Sequence, residues 1–314
     1  MRSEAGRPSP RIDRSAPIPK PIPLPHPSWW IGGAVIVLLA VLFTWTLITN
    51  RNMKWDTALS YFFNWEILAG LGRTLVLTFL AMIVGLTLGI VIAIMRLSRN
   101  PVFQGVSWAW VWFFRGVPPL VQLVFWYNLA LLFPRISLGV PFAAPLMSWD
   151  TNDLITPFSA AILGLSLTES GYAAEMIRAG IQAVSAGQSE AAASLGMTRG
   201  QALRRIIMPQ ALRILIPPIG NDTISMLKFT SLVSVLALPD LMYSAQMIYS
   251  RTYQTIPLLL VVTVWYLVLA TILTGLEHLV ERRVSYGAKA AGIAGRSPWR
   301  SALFGWLDRR ASSS

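Results

Sequence analysis

Three stretches of the chain contain no Asp, Glu, Lys or Arg: residues 27–50, 74–95 and 252–276. Each exceeds the ~20 apolar residues with which a helix crosses a hydrocarbon layer of ~30 Å. None shows the short alternating segments of a membrane β-barrel. Three further apolar stretches are interrupted by Arg115, by Glu169, and by Asp222 and Lys228. The pattern predicts about six spans, at roughly 29–49, 69–95, 105–132, 156–179, 212–238 and 254–277. The expected fold is all-α, a polytopic transmembrane helical bundle.

Charge sharpens this picture. Only 13% of the 314 residues are charged, against about 25% in a soluble domain. The net charge of +12 does not call for nucleic acid, because basic residues in a membrane protein first report topology. With the N-terminus inside, nineteen basic residues fall on the cytoplasmic side and four (Arg51, Lys54, Arg135, Arg251) on the other. Both termini and the loop 180–211 are therefore expected in the cytoplasm, with lipid as the surrounding partner. Residues 1–28, rich in Pro and Arg, read as a disordered tail. Residues 29–66 read as an extra span with an external loop, and 281–314 as a basic tail. The apolar run after Trp29 is long for a signal sequence and lacks a small-residue cleavage site, so it reads as an uncleaved span. Trp29, Trp30, Trp108, Trp110, Trp112, Trp149 and Trp265 lie near span ends, where tryptophan anchors at the interface.

Little in the sequence supports catalysis. There is no cysteine, and the two histidines, His26 and His278, are far apart. Thiol chemistry and a thiolate metal site are excluded, and no metal or other cofactor is expected on this chain. No Gly-x-x-x-x-Gly-Lys-Ser/Thr loop is present, so any ATP and Mg would be held by a partner.

The loop 180–211 has a shape of its own. Ser185 and Gln188 have capping-box spacing, and an Ala-rich helix is expected after them. Gly196 stands where a left-handed helix stop belongs, and Thr198 with Gln201 starts a second helix by the same device. The expected result is a compact helix–turn–helix knob whose small alanines let another protein approach closely.

Within it, Glu190-Ala191-Ala192, then Gly196, then Ile206-x-Met208-Pro209 resembles the EAA loop of ABC-importer permeases, with Met208 in place of the usual Leu. The flanks resemble the polar amino-acid permeases of the histidine/glutamine/glutamate type: Phe114-Arg115-Gly116-Val117-Pro118-Pro119, Gly171-Tyr172-Ala173-Ala174-Glu175-Met176-Ile177-Arg178, Pro209-Gln210-Ala211, and Leu227-Lys228-Phe229-Thr230-Ser231. Phe229 stands where that family usually has an acidic residue, and Glu169 is atypical. The resemblance covers about residues 67–280.

The resemblance implies a type I ABC importer permease fold in a bacterial inner membrane, without enzymatic activity of its own. It implies three kinds of partner: ATPase subunits, a second permease subunit (a copy or a paralogue), and a periplasmic or tethered amino-acid-binding protein. Gly187, Glu190, Ala191, Ala192, Gly196, Ile206 and Pro209 would form the ATPase-coupling loop. The alternatives are a permease for another small solute (an opine, methionine or a compatible solute) and, from a different class, a channel or assembly protein.

Ionisable residues inside spans default to functional hypotheses. Asn221, Ser225 and Lys228, spaced i, i+4, i+7, share one stripe of the fifth span, beside Pro217-Pro218 and Gly220. Ser166, Glu169 and Ala173 make a stripe on the fourth. Glu169 is expected either to face the substrate path or to pair with Lys228 or Arg115. Arg115 is expected to begin or break the third span, and is also a path candidate.

Overall fold

The computed structural model describes residues 27–139 and 145–290. The tail 1–28, apart from its last two residues, and most of 281–314 lie outside them. The first unit contains helix α1 (Pro27–Thr49) and a 3-10 turn at Arg51–Met53. α1 is apolar on all sides, as suits a helix whose solvent is lipid.

The second unit, from Lys54 onward, holds the remaining elements. In chain order these are α2 (Trp55–Phe62), α3 (Trp65–Leu97), α4 (Pro101–Gly116), α5 (Pro119–Tyr127), a single turn α6 (Leu129–Leu132), strands β1 (Arg135–Leu138) and β2 (Met147–Asp150), a single turn α7 (Thr151–Leu154), α8 (Pro157–Gln182), α9 (Ala186–Ser194), α10 (Arg199–Ala202), α11 (Met208–Phe229), α12 (Leu241–Thr252) and α13 (Thr255–Ala290). The strands form one antiparallel pair in which Arg135 faces Asp150 and Ser137 faces Ser148. The described residues are otherwise almost wholly helical.

α8 is the hub, packed by α3, α4, α5 and α11. Lipid offers no hydrophobic drive between helices, so close backbone approach through small residues must hold them together. α3 supplies it with Gly85 and Gly89, one turn apart. A methyl group at Gly85 would lie 2.6 Å from Cβ and Cγ of Glu169, and one at Gly89 2.5 Å from Cβ of Ala173. Beyond this seam, Leu77, Ala81, Leu123, Ala161, Leu165, Met226 and Val233 fill the centre. A second cluster, including Ala58, Ile67, Leu241, Ala245, Leu258 and Val261, joins α2, α3, α12 and α13.

The helix breaks depart from the predicted spans. The third span is two helices, because Pro118 and Pro119 have no N–H to continue the ladder. Gln122 closes the gap: its amide nitrogen donates to the Phe114 carbonyl at 3.1 Å and to that of Val117 at 3.0 Å. The fifth span begins earlier, at Met208, and passes at Phe229 into a 3-10 segment, Thr230–Leu236. Ala237, at φ 55°, ends that segment. α12 follows with a bend of 45° as a separate helix, capped by Asp240, whose carboxylate accepts from the Tyr243 N–H at 2.8 Å.

Three described helices are long and apolar enough to cross a membrane, in α1, α3 and α13, and the bent pair that runs from Arg199 to Thr252 would be a fourth if it forms one span. α8 and the α4–α5 pair, the other two of the six predicted spans, do not meet that measure. α8 buries Ser166, Thr168, Glu169 and Ser170 inside the bundle, so its polarity faces protein.

Two tryptophans expected as interfacial anchors are packing residues. Trp110 donates to the Ser170 hydroxyl at 2.9 Å. Trp265 donates to the Phe62 carbonyl at 3.0 Å and stacks on its ring at 4.8 Å.

Candidate functional site

The loop after α8 folds as a short helix, a tight turn and a second start. α9 ends at a left-handed Gly196, φ +72°, with the Met197 N–H bonded to the Ala192 carbonyl at 3.0 Å and the Gly196 N–H to that of Ala193 at 2.9 Å. This pair of bonds is a Schellman stop, and it requires a residue that tolerates positive φ. Ala192 is wholly buried under the turn, while Glu190, Ala191 and Gly187 are exposed.

Thr198 then caps α10 with a full capping box. Its hydroxyl accepts from the Gln201 N–H, and its own N–H donates to the Gln201 side chain at 2.9 Å. The first expected box is absent. Ser185 makes no side-chain cap bond. The Gln188 N–H donates instead to the Ser185 carbonyl at 3.0 Å, and the Gln188 side chain is engaged by Gln210 at 3.4 Å.

Nor is the second helix a free-standing arm. After α10 a wide π turn, Leu203–Ile207, carries the chain directly into α11. Pro209, lacking an N–H, sits at the start of α11, and the neighbouring Met208 N–H reaches back to the Leu203 carbonyl. Ile206 is half-buried, whereas Pro209 is exposed. A short, continuous backbone therefore joins α9 and α10 to a long helix of the bundle.

Sequence reasoning passed over Leu195, which is 79% exposed at the tip beside Gly196. A single exposed leucine is ordinary on a surface. Here it stands next to exposed alanines and Glu190, whose carboxylate joins none of the ion pairs among the described residues. The knob thus presents an apolar tip with one free carboxylate.

Among the residues inside spans, Ser166 and Glu169 come together on the face of α8 that meets α3, with Ala173 one turn on. Glu169 is 5% exposed. Neither its Oε1 nor the Ser166 hydroxyl has a hydrogen-bond partner. The expected pairing of Glu169 with Lys228 or Arg115 is not formed. α11, which packs against α8, carries a second carboxylate, Asp222, which the sequence-based reading left out of the path.

Asn221, Ser225 and Lys228 do form one stripe on α11, where the Ser225 hydroxyl donates to the Asn221 carbonyl at 3.0 Å. Asn221 and Lys228 are exposed. Arg115 sits apart from them. It lies against Gly171 on another face of α8 and stacks its guanidinium 5.3 Å from the Tyr172 ring centre.

The family model described as "Binding-protein-dependent transport system inner membrane component" matches residues 85–286. The arginine transport system permease protein ArgU of Corynebacterium glutamicum is 44% identical over 275 residues, covering 86% of this chain and 85% of that one. The probable amino-acid permease protein YxeN of Bacillus subtilis is 37% identical over 75% of this chain and 97% of its own. Among solved structures, an amino acid ABC transporter with histidines is 38% identical, with a TM-score of 0.60, over 69% of this chain and 94% of that one.

Proposed function

Because this chain belongs to the binding-protein-dependent transport system inner membrane component family, membrane-embedded transport subunits of ABC importers rather than enzymes, we propose that it carries a polar amino acid inward across a bacterial plasma membrane, with a basic amino acid as the preferred cargo. The observation that carries the cargo is the buried Glu169, paired with no cation among the described residues, on a helix packed against the one that bears Asp222. Two carboxylates in a low-dielectric bundle repel each other and favour an incoming cation. The substrate printed in the name of the 44% identical relative, arginine, has that charge. Asn221, Ser225 and Lys228 on α11 line the same route and meet the zwitterion's polar and carboxylate groups, and Ser166 offers an unpartnered hydroxyl near Glu169.

The knob from Ala186 to Pro209 is the grip for a partner ATPase. Glu190 and the apolar tip at Leu195 make contact, Ala191 and Gly187 allow close approach, Ala192 and Gly196 hold the turn, and Ile206 with Pro209 seats the start of α11. ATP binding by the partner biases a two-state rearrangement. The motion enters α11 through the π turn and reaches Pro217-Pro218, where the helix lacks two backbone donors. In this reading the knob and both termini are cytoplasmic, a second permease subunit completes the pathway, and a binding protein delivers the cargo from outside. The N-terminal segment with α1 is an addition to the core at 67–280.

The test is reconstitution. Tagged full-length chain should co-purify an ATP-hydrolysing subunit. Proteoliposomes of that complex, supplied with its binding protein, should accumulate a basic amino acid only with ATP inside the compartment that holds the ATPase. Passage of solute without ATP would make the chain a channel and overturn the proposal.

A further inference from the structure

In the half of α8 nearest the knob, two arginines pair with one carboxylate, and a third shares a cleft with one of them. Glu175 receives Arg178 from the next turn and Arg96 of α3 at 3.4 Å, and Arg115 lines the same cleft as Arg96. One anion among three guanidiniums leaves two positive charges uncompensated. A cation at membrane depth needs a counter-charge or a route to water, and an arginine cannot shed its proton. Arg96 Nη1 is buried and has no hydrogen-bond partner.

The same place holds a cleft of about 370 Å³, lined by Arg96, Arg115, Trp108, Trp112 and Tyr172. Trp108 and Trp112 are exposed and lie parallel, 6.2 Å apart. α4 also exposes Val102, Phe103, Val106 and Phe113, on the side of the helix next to the tryptophans. A cationic pocket thus opens through an aromatic rim onto an apolar face. That combination matches an amphiphile with an anionic head and acyl chains: guanidiniums bind phosphate oxygens in a forked geometry, and tryptophans favour headgroup level.

We propose that the cleft between α3, α4 and α8, with Arg96 and Arg115 as its cations and Trp108 and Trp112 as its rim, binds the phosphodiester headgroup of an anionic phospholipid. On the orientation argued above, this lipid belongs to the cytoplasmic leaflet. Its site touches α8 at Tyr172, in the half of the helix that leads to the knob, so bound lipid would hold α3, α4 and α8 together. The site is separate from Glu169, which faces Gly85 of α3, and from Asp222 on α11; neither lines the cleft.

Native mass spectrometry of the full chain in detergent, titrated with phosphatidylglycerol or phosphatidylcholine, tests this. Wild type should retain phosphatidylglycerol over phosphatidylcholine. Arg96→Gln and Arg115→Gln should each weaken that preference about fivefold, the scale of one basic group at an anionic surface. Arg251→Gln, which removes a distant exposed arginine, should leave it unchanged. Monodisperse gel filtration of each variant confirms folding, and Arg115→Lys should restore part of the preference. Equal retention of both lipids by wild type, or unaltered preference in both Gln variants, overturns the proposal. So does displacement of the lipid by millimolar inorganic phosphate, which would make this a free-anion site. Efficient cross-linking of two copies through Trp112→Cys would place a second permease on this face and overturn it as well. None of these readouts needs ATP or cargo, so failure here leaves the transport reading intact.

Discussion

Gly85 of α3 and Glu169 of α8 lie so close that a methyl group on the glycine would sit 2.6 Å from the glutamate's Cβ and Cγ. No real carbon approaches so near, and Glu169 is enclosed in the bundle. The contact ties the tightest helix seam to the candidate cargo site. Gly85→Ala should therefore lower the thermal stability of the full chain, by about 1–3 kcal/mol as for other overpacked sites. Gly72→Ala, on the same helix but with nothing within 4 Å, should be neutral or stabilising by up to ~1 kcal/mol. Thermal unfolding of the two purified variants distinguishes them.

Glu169→Gln should separate stability from transport. The carboxylate joins no ion pair among the described residues and its Oε1 has no partner, so the neutral amide should leave stability equal or higher, because an unpaired carboxyl group is costly to bury. Uptake of a basic amino acid by the assembled transporter should fall about tenfold, the scale of one hydrogen bond to a charged group. Cargo-stimulated ATP hydrolysis should fall with it. Unchanged uptake would remove Glu169 from the path.

The two Ser/Thr caps of the knob should respond differently. Thr198→Ala breaks a complete capping box and should cost about 1 kcal/mol locally, seen as about fivefold faster hydrogen exchange at the Gln201 amide. Ser185→Ala removes a hydroxyl that makes no cap bond and should leave exchange over α9 unaltered.

Gln122→Leu keeps the volume of the break between α4 and α5 but strips the Phe114 and Val117 carbonyls of their donor. Buried unsatisfied groups cost about 1–3 kcal/mol each. The variant should lose stability on that scale, measured by thermal unfolding, whereas Gln122→Glu should lose no less, since it also lacks the donor.

Local chemistry made some of this legible in the sequence. Gly196 announces a positive φ because no side chain tolerates it well, and Thr198-x-x-Gln201 announces a cap; both are present. Ser185-x-x-Gln188 has the same spacing and fails, because Gln210, distant in sequence, engages the Gln188 side chain. The proline pair at 118–119 broke a span that hydropathy had drawn as continuous, since hydropathy counts apolarity and not missing donors. The Gly85–Gly89 spacing in an apolar helix is a sign of close packing that hydropathy, which counts apolarity alone, passes over. The meeting of Arg96 with Glu175 was not readable, because the two residues are 79 positions apart and only the seam between α3 and α8 aligns them. The same limit kept Asp222 out of the candidate path, as its role depends on α11 lying beside α8.

The central claim is that Glu190 lies in a cytoplasmic knob gripped by an ATPase subunit. The chain has no cysteine, so Glu190→Cys introduces a single reporter without background. In sealed vesicles of both orientations, a membrane-impermeant maleimide should label this cysteine only where the cytoplasmic face is outward. Bound ATPase subunit should then protect it. Labelling from the opposite face, or labelling that the ATPase leaves unchanged, would contradict the account.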